Sequence, residues 1–200
     1  MPPSTFAKVS TSLGDEMLVL ANLSGQEALG RPFRYDLDLF SLNPDVALED
    51  LVGQPVTVQI ELGEGEYRYI NGIASRFACV GTSGRFTRYR VTLRPWLWLL
   101  TRATDCRIFQ HETVPNVVKK VFRDLGFSNF DENLSRPYRQ WEYLVQYRES
   151  SFNFVSRLME QEGIYYYFKH EDGKHTLCMT DFGAAHETVP DYEEILPWVA

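Results

Sequence analysis

The chain has 200 residues, 44% of them hydrophobic, enough to bury a core without disulfide staples as one large domain or two small ones. Its 27 Asp and Glu against 20 Lys and Arg leave a net charge of -7, which argues against a nucleic-acid partner, because such affinity comes mostly from basic contacts to phosphates. No stretch approaches the roughly 20 apolar residues needed to cross a bilayer, and residues 1–14 lack the basic start and apolar run of a signal peptide, so neither stable membrane insertion nor general secretory export is expected.

In chain order, residues 6–10 and 17–23 read as two short strands of a hairpin around Ser12-Leu13-Gly14-Asp15. A break at Ser24-Gly25-Gln26-Glu27 follows. Over 33–39 the alternation is unbroken, with Phe33, Tyr35, Leu37 and Leu39 on one face and charges on the other, as in a half-buried strand. Asn43-Pro44-Asp45 opens a loop, and 47–51 predicts a single helical turn stopped by Gly53. Val56, Val58, Ile60 and Leu62 alternate with polar residues, Gly63-Glu64-Gly65 turns the chain into a strand over 67–80, and Gly81-Thr82-Ser83-Gly84 turns it again into 86–94. Successive alternating strands joined by glycine turns predict a small antiparallel barrel or strongly curled sheet, which removes exposed edges.

At Pro95 the pattern changes, because Trp96-Leu97-Trp98-Leu99-Leu100 is apolar on every side and predicts a buried seam. Val114, Val117, Val118, Val121, Phe122 and Leu125 then fall at helical spacing, opposite Lys119, Lys120 and Arg123. Thr113 is the predicted cap, Pro115 sits in the first turn and Gly126 closes the helix. A polar loop with Arg136-Pro137 leads to a strand over 141–147. Next comes a helix capped by Ser150 and stopped at Gly163, with Phe152, Phe154, Val155, Leu158 and Met159 on a wide apolar face and Arg157 placed to pair with Glu160. Residues 164–168 and 176–179 form a last hairpin around Glu171-Asp172-Gly173, and from Thr180 onward a polar tail with Pro190 and Pro197 reads as loop.

Reactive constellations are absent from this pattern. His170 and His175 flank the last hairpin turn with Cys178 beyond, but zinc sites gather four ligands at short spacings and no second cluster exists, so both histidines are expected to be solvated. His111 and His186 have no partner in sequence. Cys79, Cys106 and Cys178, odd in number and flanked by apolar residues, read as reduced, buried or half-buried thiols; in strands, Cys79 and Cys178 would be inert. Ser83 lies in a plain turn rather than a nucleophile elbow. Glu160 and Glu162, two apart on one helix, diverge and make a poor glycosidase pair. No phosphate loop or dinucleotide fingerprint occurs, and the aromatic clusters at Trp96, Trp98 and Tyr165 to Tyr167 suit a core or a subunit contact. No catalytic, cofactor-binding or metal-binding residue is therefore assigned.

Four stretches carry a resemblance: Pro95-Trp96-Leu97-Trp98-Leu99-Leu100-Thr101, Asp105-Cys106-Arg107-Ile108-Phe109-Gln110, Tyr147-Arg148-Glu149-Ser150-Ser151-Phe152, and Arg157-Leu158-Met159-Glu160-Gln161-Glu162-Gly163-Ile164-Tyr165-Tyr166. In this order they resemble the N-terminal part of the VgrG family, the spike proteins of bacterial type VI secretion systems, over about 18–181. Gly25-Gln26-Glu27-Ala28-Leu29-Gly30-Arg31-Pro32-Phe33 resembles the family's opening segment, with Gly30-Arg31-Pro32 where a serine-containing link is common. The resemblance implies a β-rich α+β fold like a phage tail hub: a barrel-like domain from 1–101 and 164–181, a mainly helical insertion over 102–163, and a tail from 182 leading into an OB-fold, needle and any effector domain. It further implies a homotrimeric ring on the hexameric Hcp tube, with baseplate components and effector or adaptor proteins as partners. Such a protein would be cytoplasmic before firing and exported through the type VI machine. The expected role is a structural hub; the rivals are a peptidoglycan hydrolase, which needs paired carboxylates, and an effector-docking adaptor.

Overall fold

Alternating side chains build the larger β layer, seen in a computed structural model that describes residues 6–14, 17–63 and 65–183. Its strands are β1 (Ala7–Ser10), β2 (Val19–Ala28), β3 (Arg31–Ser41), β4 (Pro55–Gly63), β5 (Glu66–Ser83) and β6 (Phe86–Arg94). They form one curled antiparallel half-barrel in the order β1-β4-β5-β6-β3-β2. Phe33, Tyr35, Leu37 and Leu39 of β3 point inward as expected, onto Val56, Val58, Val91 and Leu93. Leu48 O accepts from Leu51 and Val52 N–H, making the single turn before Gly53.

Two expectations fail in this layer. The first two strands do not form a hairpin: β1 pairs with β4, from Ala7 opposite Ile60 to Ser10 opposite Thr57. That register sets Val9 beside Val58, both in the core, while β2 approaches β1 across the open side of the half-barrel without pairing to it. The break at 24–27 is absent too. Strand β2 runs through it because Gly25 lies opposite Tyr35, whose ring occupies the space where a side chain would stand: a Cβ on Gly25 would meet Tyr35 Cδ1 at 1.9 Å.

After Pro95 a 3-10 helix, Trp96–Arg102, buries Trp96, Leu97 and Leu100. Then come β7 (Thr104–Glu112), α1 (Val114–Asp124), β8 (Phe130–Asn133), β9 (Trp141–Ser150), α2 (Ser151–Gln161), β10 (Tyr165–Glu171) and β11 (Lys174–Thr180). Both helix starts are capped as predicted, Thr113 accepting from Asn116 N–H and Ser150 from Asn153 N–H. Strands β7 and β9 pair as a two-stranded ribbon, while β10, β11 and the unforeseen β8 make a three-stranded sheet in the order β10-β11-β8. The hairpin thus adds no strand to the half-barrel, and 102–163 carries three strands beside its two helices. Together these elements enclose a second core around Leu97, Phe122, Phe154, Leu158 and Leu177. Arg157 does not pair with Glu160; strand β9 runs beside α2 and presents Glu149 Oε1 at 2.6 Å and Val145 O at 3.1 Å instead. No helix among the described residues is long and apolar enough to cross a membrane. Residues 184–200, with His186, Pro190 and Pro197, lie outside the described residues.

Helix α2 ends as its sequence predicts. Gly163 has φ 69°, its N–H reaches Glu160 O at 3.2 Å and Ile164 N–H reaches Met159 O at 2.8 Å, the paired bonds of a left-handed C-terminal turn. A Cβ at this position would have nothing within 4 Å, so a side chain meets only backbone strain. Gly163→Val should lower the unfolding free energy by about 1–2 kcal/mol, and Gly163→Asn by distinctly less, in urea titrations; unchanged midpoints for both would contradict this turn.

Candidate functional site

The two cores meet at a buried polar seam, and the last hairpin supplies its centre. His170 and His175 are directly opposite each other across β10 and β11, so both rings leave the same face, with centroids 6.3 Å apart. That face lies on the half-barrel rather than in solvent, which overturns the expectation of solvated histidines: His175 is 4% exposed and the His170 side chain 9%. Phe33 packs on both rings, at 4.8 and 5.5 Å.

Asn71, on β5, holds the two histidines. His175 Nδ1 lies 2.7 Å from Asn71 Oδ1, while Trp96 N–H donates to His175 Nε2 at 2.9 Å. The latter bond needs a bare Nε2, so the ring proton resides on Nδ1 and is donated to Asn71. Asn71 Nδ2 in turn donates to Thr57 Oγ1 at 2.8 Å. For His170, Asn71 N–H donates to Nδ1 at 3.1 Å and Nε2 lies 2.9 Å from Glu27 Oε1. The chain from Thr57 through Asn71 to Trp96 and Glu27 therefore links β4, β5, β11, the 3-10 helix, β10 and β2.

Burial, aided by the neighbouring His170, drives the His175 pKa down to about 3, so the ring is neutral at ordinary pH. The hydrogen bond from His170 holds Glu27 below its ordinary value against the opposing effect of burial, with Tyr35 as a second donor. Burial first, and then Glu27, raise Tyr35 far above a free phenol. All four ring nitrogens of the two histidines are thus engaged within the protein. A general base must keep a lone pair for its substrate, and this arrangement clamps instead.

The other residues considered from sequence are scattered. Glu162 accepts from Trp141 Nε1 at 3.0 Å and lies 3.4 Å from Arg136, whose guanidinium also meets Asp181 at 3.8 Å, so the neighbouring carboxylate is held in the same ion pair. Cys79 and Cys106 are exposed, correcting the expectation of buried or half-buried thiols; of the three, Cys178 alone is buried, and burial raises its pKa. His111 sits on β7 at φ 53°, and Ser83 ends β5. Trp98 carries Arg94 and Arg102 over its ring at 5.5 and 4.8 Å. Among the described residues no group of three or more His, Cys, Asp or Glu is placed to hold a metal ion.

A second feature is one the sequence did not reveal. The β7–β9 ribbon buries Phe109 and Leu144 on one face, while on the other Ile108, Tyr143, Val145 and Tyr147 stay 43–65% exposed. Ile108 faces Val145 across the ribbon, so these side chains form a continuous apolar stripe. A bulge between Asp105 and Arg107, opposite the left-handed Arg148 at φ 49°, coils its end. The signal was present in Tyr143-Leu144-Val145, apolar on both faces of a strand with only one face toward the core.

A family model described as phage tail baseplate hub matches residues 26–199. The type VI secretion system spike protein VgrG1b of Pseudomonas aeruginosa is 54% identical over 188 residues, 94% of this chain and 25% of that protein. VgrG1a of the same organism is 50% identical over 195 residues, 98% of this chain and 30% of that protein. Among solved structures, the E. coli c3393 protein, described as a component of the type VI secretion system with structural similarity to T4 bacteriophage tail proteins gp27 and gp5, superposes with a TM-score of 0.82 at 28% identity, covering 90% of this chain and 51% of that one. The chain therefore spans between a quarter and a third of the length of these two curated relatives.

Proposed function

Because the chain belongs to the phage tail baseplate hub family, we propose that it forms a structural, non-enzymatic part of the hub of a type VI secretion spike. In this reading the half-barrel with its clamped hairpin is the hub domain proper, and 102–163 is an insertion that presents the contact ribbon. Three copies associate through such apolar faces into a ring on the Hcp tube, alongside baseplate components, and the assembled spike carries effector or adaptor proteins outward. It waits in the cytoplasm and leaves through the type VI machine.

The observation that carries this reading is the pairing of a cross-welded interior with an unpartnered apolar ribbon. A hub transmits force between partners, so it needs domains that do not shear and surfaces that adhere. The four exposed ribbon side chains are of the aromatic and branched types that anchor interfaces. In the full-length protein, Ile108→Arg combined with Tyr147→Glu should weaken self-association at least about tenfold while leaving the thermal midpoint of the unassembled subunit unchanged. Native mass spectrometry at micromolar concentration reads both species. A wild-type protein found only as monomer would overturn the trimer, and a double variant still trimeric would move the contact to another face.

A further inference from the structure

The outer face of the half-barrel carries charge of the opposite sign to the chain as a whole. Along β6, Arg88, Arg90 and Arg94 alternate with the buried Tyr89, Val91 and Leu93, so their guanidinium groups leave the same side of the sheet. Arg34 follows the same alternation on β3, and Arg76 stands opposite Thr92 on β5. Strands β3, β5 and β6 set two carboxylates, Asp36 and Asp38, among these five arginines, in a chain whose net charge is -7.

Both carboxylates are already engaged. Asp36 holds Arg34 through two bonds of 2.9 and 3.2 Å and accepts from Thr92 Oγ1 at 2.6 Å, while Asp38 holds Arg90 at 2.8 Å. Arg76, Arg88 and Arg94 form no ion pair among the described residues. Arg94 shares the Trp98 ring with Arg102, and burial, followed by the like charge of Arg34, holds its pKa below the ordinary arginine value. Like charges on neighbouring positions of a sheet repel, so an arriving anion relieves a cost that the fold carries. At the Arg88 end the same face turns apolar. Phe40 lies opposite Arg88, and Val19 opposite Phe40; with Phe86, Met17 and Leu42 they line a groove of about 370 Å³, rimmed by Arg85 at 5.1 Å from the Phe86 ring.

We propose that this face docks an acidic segment of a partner protein, laid along β6 with one apolar side chain in the groove at Phe40 and Phe86 and its carboxylates on Arg88, Arg76 and Arg94. Arginine's planar fork takes a carboxylate through two bonds, and the column from Arg88 to Arg94 covers about 20 Å, the reach of about six extended residues. The make-up of the face selects a protein over other polyanions. Asp36 and Asp38, fixed between the arginines, repel the unbroken row of phosphates of a nucleic acid, and a groove of this size accepts a side chain, whereas a flat headgroup surface leaves it empty. Complementary charge then sets partner choice and the rate of encounter. None of this depends on the ribbon contact.

The test uses the full-length protein and three capped peptides: acetyl-Phe-Ala-Glu-Ala-Glu-Ala-Glu-amide, its Gln counterpart, and the acidic peptide with Ala in place of Phe. By calorimetry at low salt the acidic peptide should bind with a Kd in the millimolar range or below, the Gln peptide at least about tenfold more weakly and the peptide without Phe at least about threefold more weakly; added salt should weaken the acidic peptide. Arg76→Ser combined with Arg88→Ser should weaken it at least about tenfold while keeping or raising the thermal midpoint, because unpaired like charges are removed. Ile108→Arg combined with Tyr147→Glu should bind the peptide as the wild type does, which separates this result from the trimer contact. Equal binding of the Glu and Gln peptides would overturn the proposal, as would a double arginine variant that melts earlier, since the arginines would then serve the fold. Tighter binding of single-stranded oligothymidylate or of phosphatidylglycerol vesicles, lost in the double arginine variant, would overturn it in favour of a nucleic acid or a membrane. Loss of self-association in that variant, read by native mass spectrometry, would assign the face to a second copy of the chain instead.

Discussion

His175→Leu should destabilise the protein by about 3–5 kcal/mol, the largest effect expected of any single polar substitution here. Leucine fills much of the same volume but leaves the Trp96 N–H and Asn71 Oδ1 buried and unpaired, at about 1–3 kcal/mol each. His175→Gln, which keeps a donor and an acceptor, should recover part of the loss. A double-mutant cycle with Asn71→Ala, read by urea denaturation, should give a coupling of about 1–3 kcal/mol; additive effects would show that the bonds contribute nothing.

The same histidine sets a pH window. Folded, His175 titrates near 3; unfolded, it returns to its ordinary value of 6.5. Between those values the unfolded chain holds one more proton, so this contribution is complete above about pH 6.5 and is lost as pH falls toward 3, with a limiting slope of about 1.4 kcal/mol per pH unit. Glu27, whose pKa is lowered from 4.5, withdraws its share only below that pH. Stability measured between pH 4.5 and 6.5 therefore isolates His175 from Glu27, and the leucine variant should show a flatter profile there than the wild type. Parallel profiles for the two proteins would refute a neutral buried His175.

Gly25→Ala should cost about 2–3 kcal/mol, although it adds one methyl group in a strand, where alanine is ordinarily no worse than glycine. The new Cβ would stand 1.9 and 2.2 Å from Tyr35 Cδ1 and Cε1, forcing the ring away from its place against Phe33, 5.6 Å centroid to centroid, and away from Glu27. In a Tyr35→Val background the methyl has room, and the increment from Gly25→Ala should fall below about 0.5 kcal/mol. A penalty of equal size in both backgrounds would place its origin in the backbone.

What the amino-acid order made legible was local. The alternation from Phe33 to Leu39 fixed the buried face of β3, and Thr113, Ser150, Gly126 and Gly163 marked the helix ends, because each depends on residues within one or two turns. Pairing was not local. Nothing within 6–10 says that Val9 belongs beside Val58, and Gly25 reads as a breaker because its cover, Tyr35, is a cross-strand neighbour. The four residues of β8 carry a single apolar side chain and pair in parallel with a strand more than forty residues later, a signal no short window holds. His170 and His175 look solvated in sequence since Asn71, which buries them, is 99 and 104 residues away. Cys79 departs from expectation in the opposite sense: its apolar neighbours suggest a buried setting, yet it is exposed together with Val80.

The seam has a further consequence, in time rather than in free energy. Its bond between Glu27 and His170 closes a loop of 143 residues, and the loop-closure entropy must be met before that contact contributes. The bond is therefore expected to form late, on the native side of the folding barrier. Interactions absent from the transition state slow unfolding without speeding folding. Loss of the seam, as in His175→Leu, should accordingly show itself mainly as faster unfolding in stopped-flow experiments, with refolding little changed. Resistance to sudden pulling is governed by that unfolding rate, so the histidines bear on how long the fold survives a brief load more than on how quickly it is made.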